Sequence, residues 1–75
     1  MNLYLLKMKK NPEPGENEGF VIRAGNEQKA RILAVRRAED EGAKTWLDPS
    51  KSNATVLAQN VEGKEQIILE SYWGE

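Results

Sequence analysis

The sequence predicts an α+β fold: a four-stranded, mainly antiparallel sheet in the order β-β-α-β-β, with one helix packed on one face. Three observations carry this. Four apolar segments alternate with period two, one segment between the second and third carries small apolar residues at i, i+3, i+4 and i+8, and glycine or proline falls between the segments. With 75 residues the chain makes one domain, 1–75, because chains this short bury only about 60–65% of their unfolded surface and cannot support two cores.

Leu3 to Met8 is the first strand, with Tyr4, Leu6 and Met8 on one face and Leu3, Leu5 and Lys7 on the other. Both faces begin apolar, which places the strand centrally in the sheet or beneath a partner subunit. Lys9 to Gly19 has no periodicity and holds two prolines and two glycines, so a flexible loop is expected at about 10–19. Phe20 to Ala24 is the second strand, which Gly25 ends. Asn26 then reads as a helix N-cap with Glu27 in the first turn, and the helix is expected to run to about Glu41 before Gly42 closes it.

On that helix Ala30, Leu33, Ala34 and Ala38 form the core face, and their small side chains let it sit close to a sheet. Ile32 and Val35 fall on a second patch. Arg36 with Asp40, and Arg37 with Glu41, are spaced to offset the unfavourable acids at the helix C-terminus. Beyond it, Trp46 and Leu47 are expected to plug the core while Asp48 to Asn53 turn the chain into a third strand, Ala54 to Val61. A turn through Glu62-Gly63-Lys64 makes that strand a hairpin with the fourth, Gln66 to Trp73.

Composition excludes more than it assigns. Eleven basic and twelve acidic residues leave a net charge of −1, which argues against general nucleic-acid binding and equally against an acidic nucleic-acid mimic. Cysteine is absent, so neither a disulfide framework nor a thiolate metal site supplements the core, and the chain fits a reducing cytoplasm. Histidine is absent too, which removes the commonest general base, and no nucleophile elbow, P-loop or dinucleotide fingerprint occurs. The chain reads as a non-enzyme without a cofactor. Asp40 and Glu41 lack the oxygen-ligand spacing of a calcium loop, so no metal site is expected. No apolar run approaches the roughly 20 residues that span a bilayer, and a soluble protein is expected. With an apolar share of 39%, association into a homo-oligomer would add burial that the short chain lacks.

Binding chemistry is more plausible than catalysis. Ser50, Lys51 and Ser52 follow Asp48-Pro49, a pattern that favours Asx and Ser/Thr turns whose N–H groups point one way and, with Lys51, suit a phosphate. The same residue types also make an ordinary turn. Lys7 and Arg23 supply further cations on the first two strands, and Trp46, Tyr72 or Trp73 could stack on a base. These define the candidate ligand-binding set: Lys7, Arg23, Trp46, Ser50, Lys51 and Ser52.

The array FVIRA at Phe20 to Ala24, the E-x-x-A-R pattern at Glu27 to Arg31, EGA at Glu41 to Ala43 and WLDP-x-x-S at Trp46 to Ser52 resembles a family of short, largely uncharacterised bacteriophage and prophage proteins. A glycine turn and the IIL of Ile67 to Leu69 complete the match. Where that family often carries a cysteine after the Ser/Thr, this chain has Asn53 and Ala54, so a thiol-dependent role is not expected. The resemblance implies a phage accessory protein in the cytoplasm of a bacterial host cell, with counter-defence as its leading role. In one form it is an oligomeric sponge that sequesters a cyclic or ADP-ribose-type nucleotide signal. In the other it is an inhibitor that docks on a host protein by its open sheet face or edge. A structural or regulatory phage role is the third.

Overall fold

The computed structural model describes residues 1–10, 17–38 and 45–72. Five elements follow in chain order: β1 (Asn2–Met8), β2 (Asn17–Ala24), α1 (Glu27–Ala38), β3 (Ser52–Ala58) and β4 (Gln66–Tyr72). The strands form one sheet in the order β3-β1-β2-β4, every neighbouring pair is antiparallel, and α1 packs chiefly over β2. Among the described residues, the α+β class, the four-stranded antiparallel sheet and the helix on one of its faces agree with the pattern of the sequence. Central placement of β1 explains why both of its faces are apolar.

The expected hairpin between the third and fourth strands is absent. β3 and β4 lie at opposite edges, and the segment after Ala58 crosses the end of the sheet to join them. That segment is fastened at both ends of its path. The Val61 N–H donates to the Met1 carbonyl at 2.6 Å, the Met1 amino group donates to the Val61 carbonyl at 3.2 Å, and Arg23 Nε donates to the Lys64 carbonyl at 2.7 Å. Bends at Asn60 (φ 56°) and Gly63 (φ 119°) allow the crossing. The physical reason is that the β1–β2 pair has two unpaired outer ladders, and covering both satisfies more backbone groups than pairing β3 with β4 would.

Strand ends also move. β3 starts at Ser52, which pairs with Met8, rather than at Ala54. β2 starts at Asn17, three residues inside the expected loop. Asn17 is buried and its Nδ2 donates to Glu70 Oε2 at 3.4 Å, so its polar side chain has a partner inside the fold. Gly19 belongs to the strand because nothing larger fits: a Cβ there would lie 2.9 Å from the Leu6 carbonyl oxygen. Gly19→Ala is therefore expected to cost about 1–3 kcal/mol through forced backbone displacement, measured as a lower urea midpoint with an unchanged slope.

The core fills the space between the sheet and α1. Tyr4, Leu6 and Met8 from β1 and Phe20, Ile22 and Ala24 from β2 face Ala30 and Ala34 of the helix, with Trp46 fully buried among them. The Phe20 and Trp46 rings meet edge to face, with centroids 5.0 Å apart at 79°. Leu33 and Ala38 pack on this cluster as expected, and so does Val35, which the helical spacing had put on a separate patch. Leu47 departs the other way: it is 38% exposed, and Trp46 plugs the core without it.

Asn26 caps the helix as expected, its Oδ1 accepting the Lys29 N–H at 2.9 Å. The expected helix end, its pairs with Asp40 and Glu41, the EGA motif and Trp73 all lie outside the described residues. Arg37 reaches across to β4, where its Nε donates to both Glu70 oxygens at 2.9 Å and its Nη2 to Oε1 at 2.6 Å. This fork ties the helix to an edge strand.

Candidate functional site

The centre of the WLDP segment is a buried arginine. Arg31 sits one residue beyond Ala30 on α1 and is 4% exposed. Its Nη1 donates to the Trp46 carbonyl at 2.9 Å and to Ser52 Oγ at 2.8 Å, and its Nη2 donates to the Ser52 carbonyl at 3.1 Å. Its Nε is held by Glu27 one turn earlier, at 2.9 Å. Ser52 Oγ in turn donates to the Thr45 carbonyl at 2.7 Å. One guanidinium thus joins the helix, the segment before the turn and the first residue of β3, its planar fork reaching one carbonyl on each of the two segments.

The turn itself closes around Asp48. The Ser50 N–H and hydroxyl both donate to Asp48 Oδ1, at 2.9 and 2.7 Å, while the Lys51 and Ser52 N–H groups donate to the Asp48 carbonyl at 2.9 and 3.1 Å. The Ser50 bonds, hydroxyl first, hold the Asp48 carboxyl below its ordinary value, with the charges of Lys51 and Lys9 adding to the effect. The N–H groups expected to cradle a phosphate are therefore already occupied. The Asp48 carboxylate takes the Ser50 N–H and the Asp48 carbonyl takes those of Lys51 and Ser52, so any external anion at this end must rely on side-chain cations.

Such cations do converge. Lys9 and Lys10, just past β1, and Lys51 from the turn line a cleft of about 260 Å³ together with Ser50 and Thr45. A bond from the Lys9 N–H to the Lys51 carbonyl at 2.9 Å holds the two walls together. Of the six candidate ligand residues, Ser50 and Lys51 lie here. Trp46 and Ser52 have no exposed surface, and both belong to the core: an aromatic on a buried plug cannot stack on a ligand, and the Ser52 hydroxyl is held by Arg31 and Thr45. Arg23 is committed to the connector through Lys64 and to Gln66 Oε1 at 3.3 Å.

Lys7 belongs to a different region. On the sheet face away from the helix it lines a depression of about 240 Å³ with Leu5, Glu18, Gly19, Val21, Leu69 and Ser71. Directly across the sheet run Thr55, Leu5, Val21 and Leu69, so an apolar row crosses β1, β2 and β4 and ends at the Thr55 hydroxyl on β3. Leu69 is 63% exposed and Leu57, on the edge strand β3, 51%. The structure separates the candidate residues into a basic cleft, an apolar face and a buried core, where the sequence had grouped them.

Lys9, Lys10 and Arg31 were not among the candidates. The two lysines looked like the start of a polar loop, and only the return of β3 beside β1 brings Lys51 to them. Arg31 had a legible trace: Glu27 and Arg31 are spaced i, i+4, and the E-x-x-A-R and WLDP-x-x-S patterns that carry the family resemblance are the two sides of its network. Among the described residues no helix is long and apolar enough to cross a membrane. Comparison with protein-family models, curated proteins and solved structures finds no match to this chain.

Proposed function

We propose that this chain is a small non-enzymatic binding protein that holds a phosphate-bearing ligand between Lys9, Lys10 and Lys51. The observation that carries the reading is the convergence of these three lysines on one cleft beside a turn rigidified by Asp48. Ammonium groups suit phosphate as point charges, and the Asp48 carboxylate at the turn is already held by Ser50. In the counter-defence role that the family resemblance implies, the ligand is a nucleotide immune signal of cyclic or ADP-ribose type, and binding sequesters it without chemistry.

Calorimetry with cyclic dinucleotides, ADP-ribose derivatives and inorganic pyrophosphate tests this. Wild type is expected to bind at least one of them with an affinity that falls as salt rises, and Lys51→Glu is expected to weaken it at least tenfold, about 1.4 kcal/mol. Melting of the variant should stay within about 0.5 kcal/mol of wild type, since Lys51 is exposed. Absence of binding to the whole set at millimolar ligand would overturn the reading and favour an inhibitor that docks on a host protein through the exposed Leu57 and Leu69.

A further inference from the structure

The sheet face away from α1 is apolar along its middle row, carries Lys7, Glu18 and Ser71 at one end and Arg23 and Gln66 at the other, and is indented where Gly19 lacks a side chain. We propose that it is the interface of a twofold homodimer in which two sheets pack face to face, with the axis running along the strands between β1 and β2. The inference is independent of the lysine cleft, which lies elsewhere.

Self-complementarity carries it. The twofold lays β1 of one subunit over β2 of the other. Register then decides what meets what: Lys7 is paired with Gly19 and Leu5 with Val21 within the sheet, so across the axis Lys7 comes over the partner's Gly19 and Leu5 over the partner's Val21. The lysine stem enters the depression that Gly19 leaves, and its ammonium reaches the partner's Glu18, which lines the same depression. Glu18 is already oriented toward this face, its Oε1 accepting a 2.9 Å bond from Ser71 on β4. Each interface therefore has two symmetric Lys7–Glu18 pairs at one end of an apolar centre, an arrangement in which a single sequence supplies both halves of the charge match.

The dimensions suit a dimer of modest affinity. Four strands at about 4.8 Å spacing and about 3.3 Å per residue make a face roughly 20 Å on each side, so two faces bury on the order of 1,000 Å², the lower bound for a specific interface. A second copy also answers the shortage of core in so short a chain. Aligned sheet packing, with the strands of the two subunits about 30° apart, keeps these contacts within reach.

Sedimentation equilibrium over a range of concentrations, run on wild type, Leu69→Asp, Lys7→Glu and Glu18→Lys, tests the arrangement. Wild type is expected to approach twice the 8.5 kDa chain mass, and Leu69→Asp to remain monomeric with its circular dichroism unchanged, because this side chain is mostly exposed. Lys7→Glu and Glu18→Lys should each dissociate at least tenfold more readily than wild type. Mixing these two variants should restore association, since each then faces its opposite charge across the axis. A wild type that stays monomeric at every concentration would overturn the proposal and leave the face to another occupant. A dimer indifferent to Leu69→Asp would overturn it in favour of pairing through the β3 or β4 edge. Single charge variants that do not recover on mixing would overturn the orientation.

Discussion

Arg31→Ala is expected to abolish cooperative folding at ordinary temperatures. The substitution removes the donor to the Trp46 and Ser52 carbonyls and to Ser52 Oγ, whose bond to the Thr45 carbonyl remains, and leaves a cavity where the guanidinium lay. Breaking a buried charged network by deleting one member costs about 3–5 kcal/mol. A domain of this size is stable by only about 4–11 kcal/mol, so the loss takes most of the lower part of that range. Arg31→Lys should recover little of it, because one ammonium cannot reach carbonyls on two segments while also pairing with Glu27. Urea denaturation followed by far-UV circular dichroism is the measurement. A loss under about 1 kcal/mol for Arg31→Ala would mean that the network is exposed to water in solution and that its bonds are replaceable.

Trp46→Ala should have an effect of similar size for a different reason. Trp46 is the largest fully buried side chain, and it closes the core against the ring of Phe20. Large-to-small changes of this kind cost about 3–5 kcal/mol through lost transfer energy and the cavity left behind. Trp46→Phe should be much milder. It keeps an aromatic edge against Phe20, and it removes the indole N–H, which has no hydrogen-bond partner among the described residues. Thermal melts of both variants check the contrast. Equal losses for alanine and phenylalanine would show that the indole N–H, rather than ring volume, is what the core requires.

How far the fold was legible in the residues follows from which interactions are local. Period two in Leu3 to Met8 and Phe20 to Ala24, and the cap at Asn26, are properties of neighbouring residues, and the structure agrees with them. Which strand pairs with which is not local. The apolar run Ile67 to Leu69 suits the outer ladder of β2 as well as that of β3, and the glycine at position 63 signals a bend without saying how far the chain travels after it. Gly19 has a related reason: after prolines and acids it reads as loop, and only its pairing with Lys7, close against the Leu6 carbonyl, makes it a strand residue.

The candidate site was harder still. In TWLDPSKS the residues able to bind an anion and those able to bind one another are the same, and the sequence cannot say which use prevails. Asp48 takes the turn N–H groups, Arg31 takes Ser52, and Lys51 is left at the surface beside two lysines contributed by the end of β1. The WLDP-x-x-S motif is, on this geometry, a device for seating β3 on the helix. The cations of the proposed ligand cleft come from Lys51, at a variable position of the motif, and from Lys9 and Lys10 outside it.

The strand order has a consequence for how the chain reaches its native state. β1 and β2 are neighbours both in sequence and in the sheet, so their pairing closes a short loop, whereas β3 reaches β1 and β4 reaches β2 only across α1 and the segments that follow it. Closing longer loops costs additional entropy, about 0.6 kcal/mol for each doubling of length, and that cost precedes any return from the contacts. The central hairpin with the helix laid on it is therefore the natural nucleus, and the two edges add late and separately. Arg31 and Arg37 stand at the two points where late strands meet early structure, one holding β3 through Ser52 and the other holding β4 through Glu70. The helix acts as a clasp with one arginine for each edge, and loosening either should speed unfolding more than it slows folding.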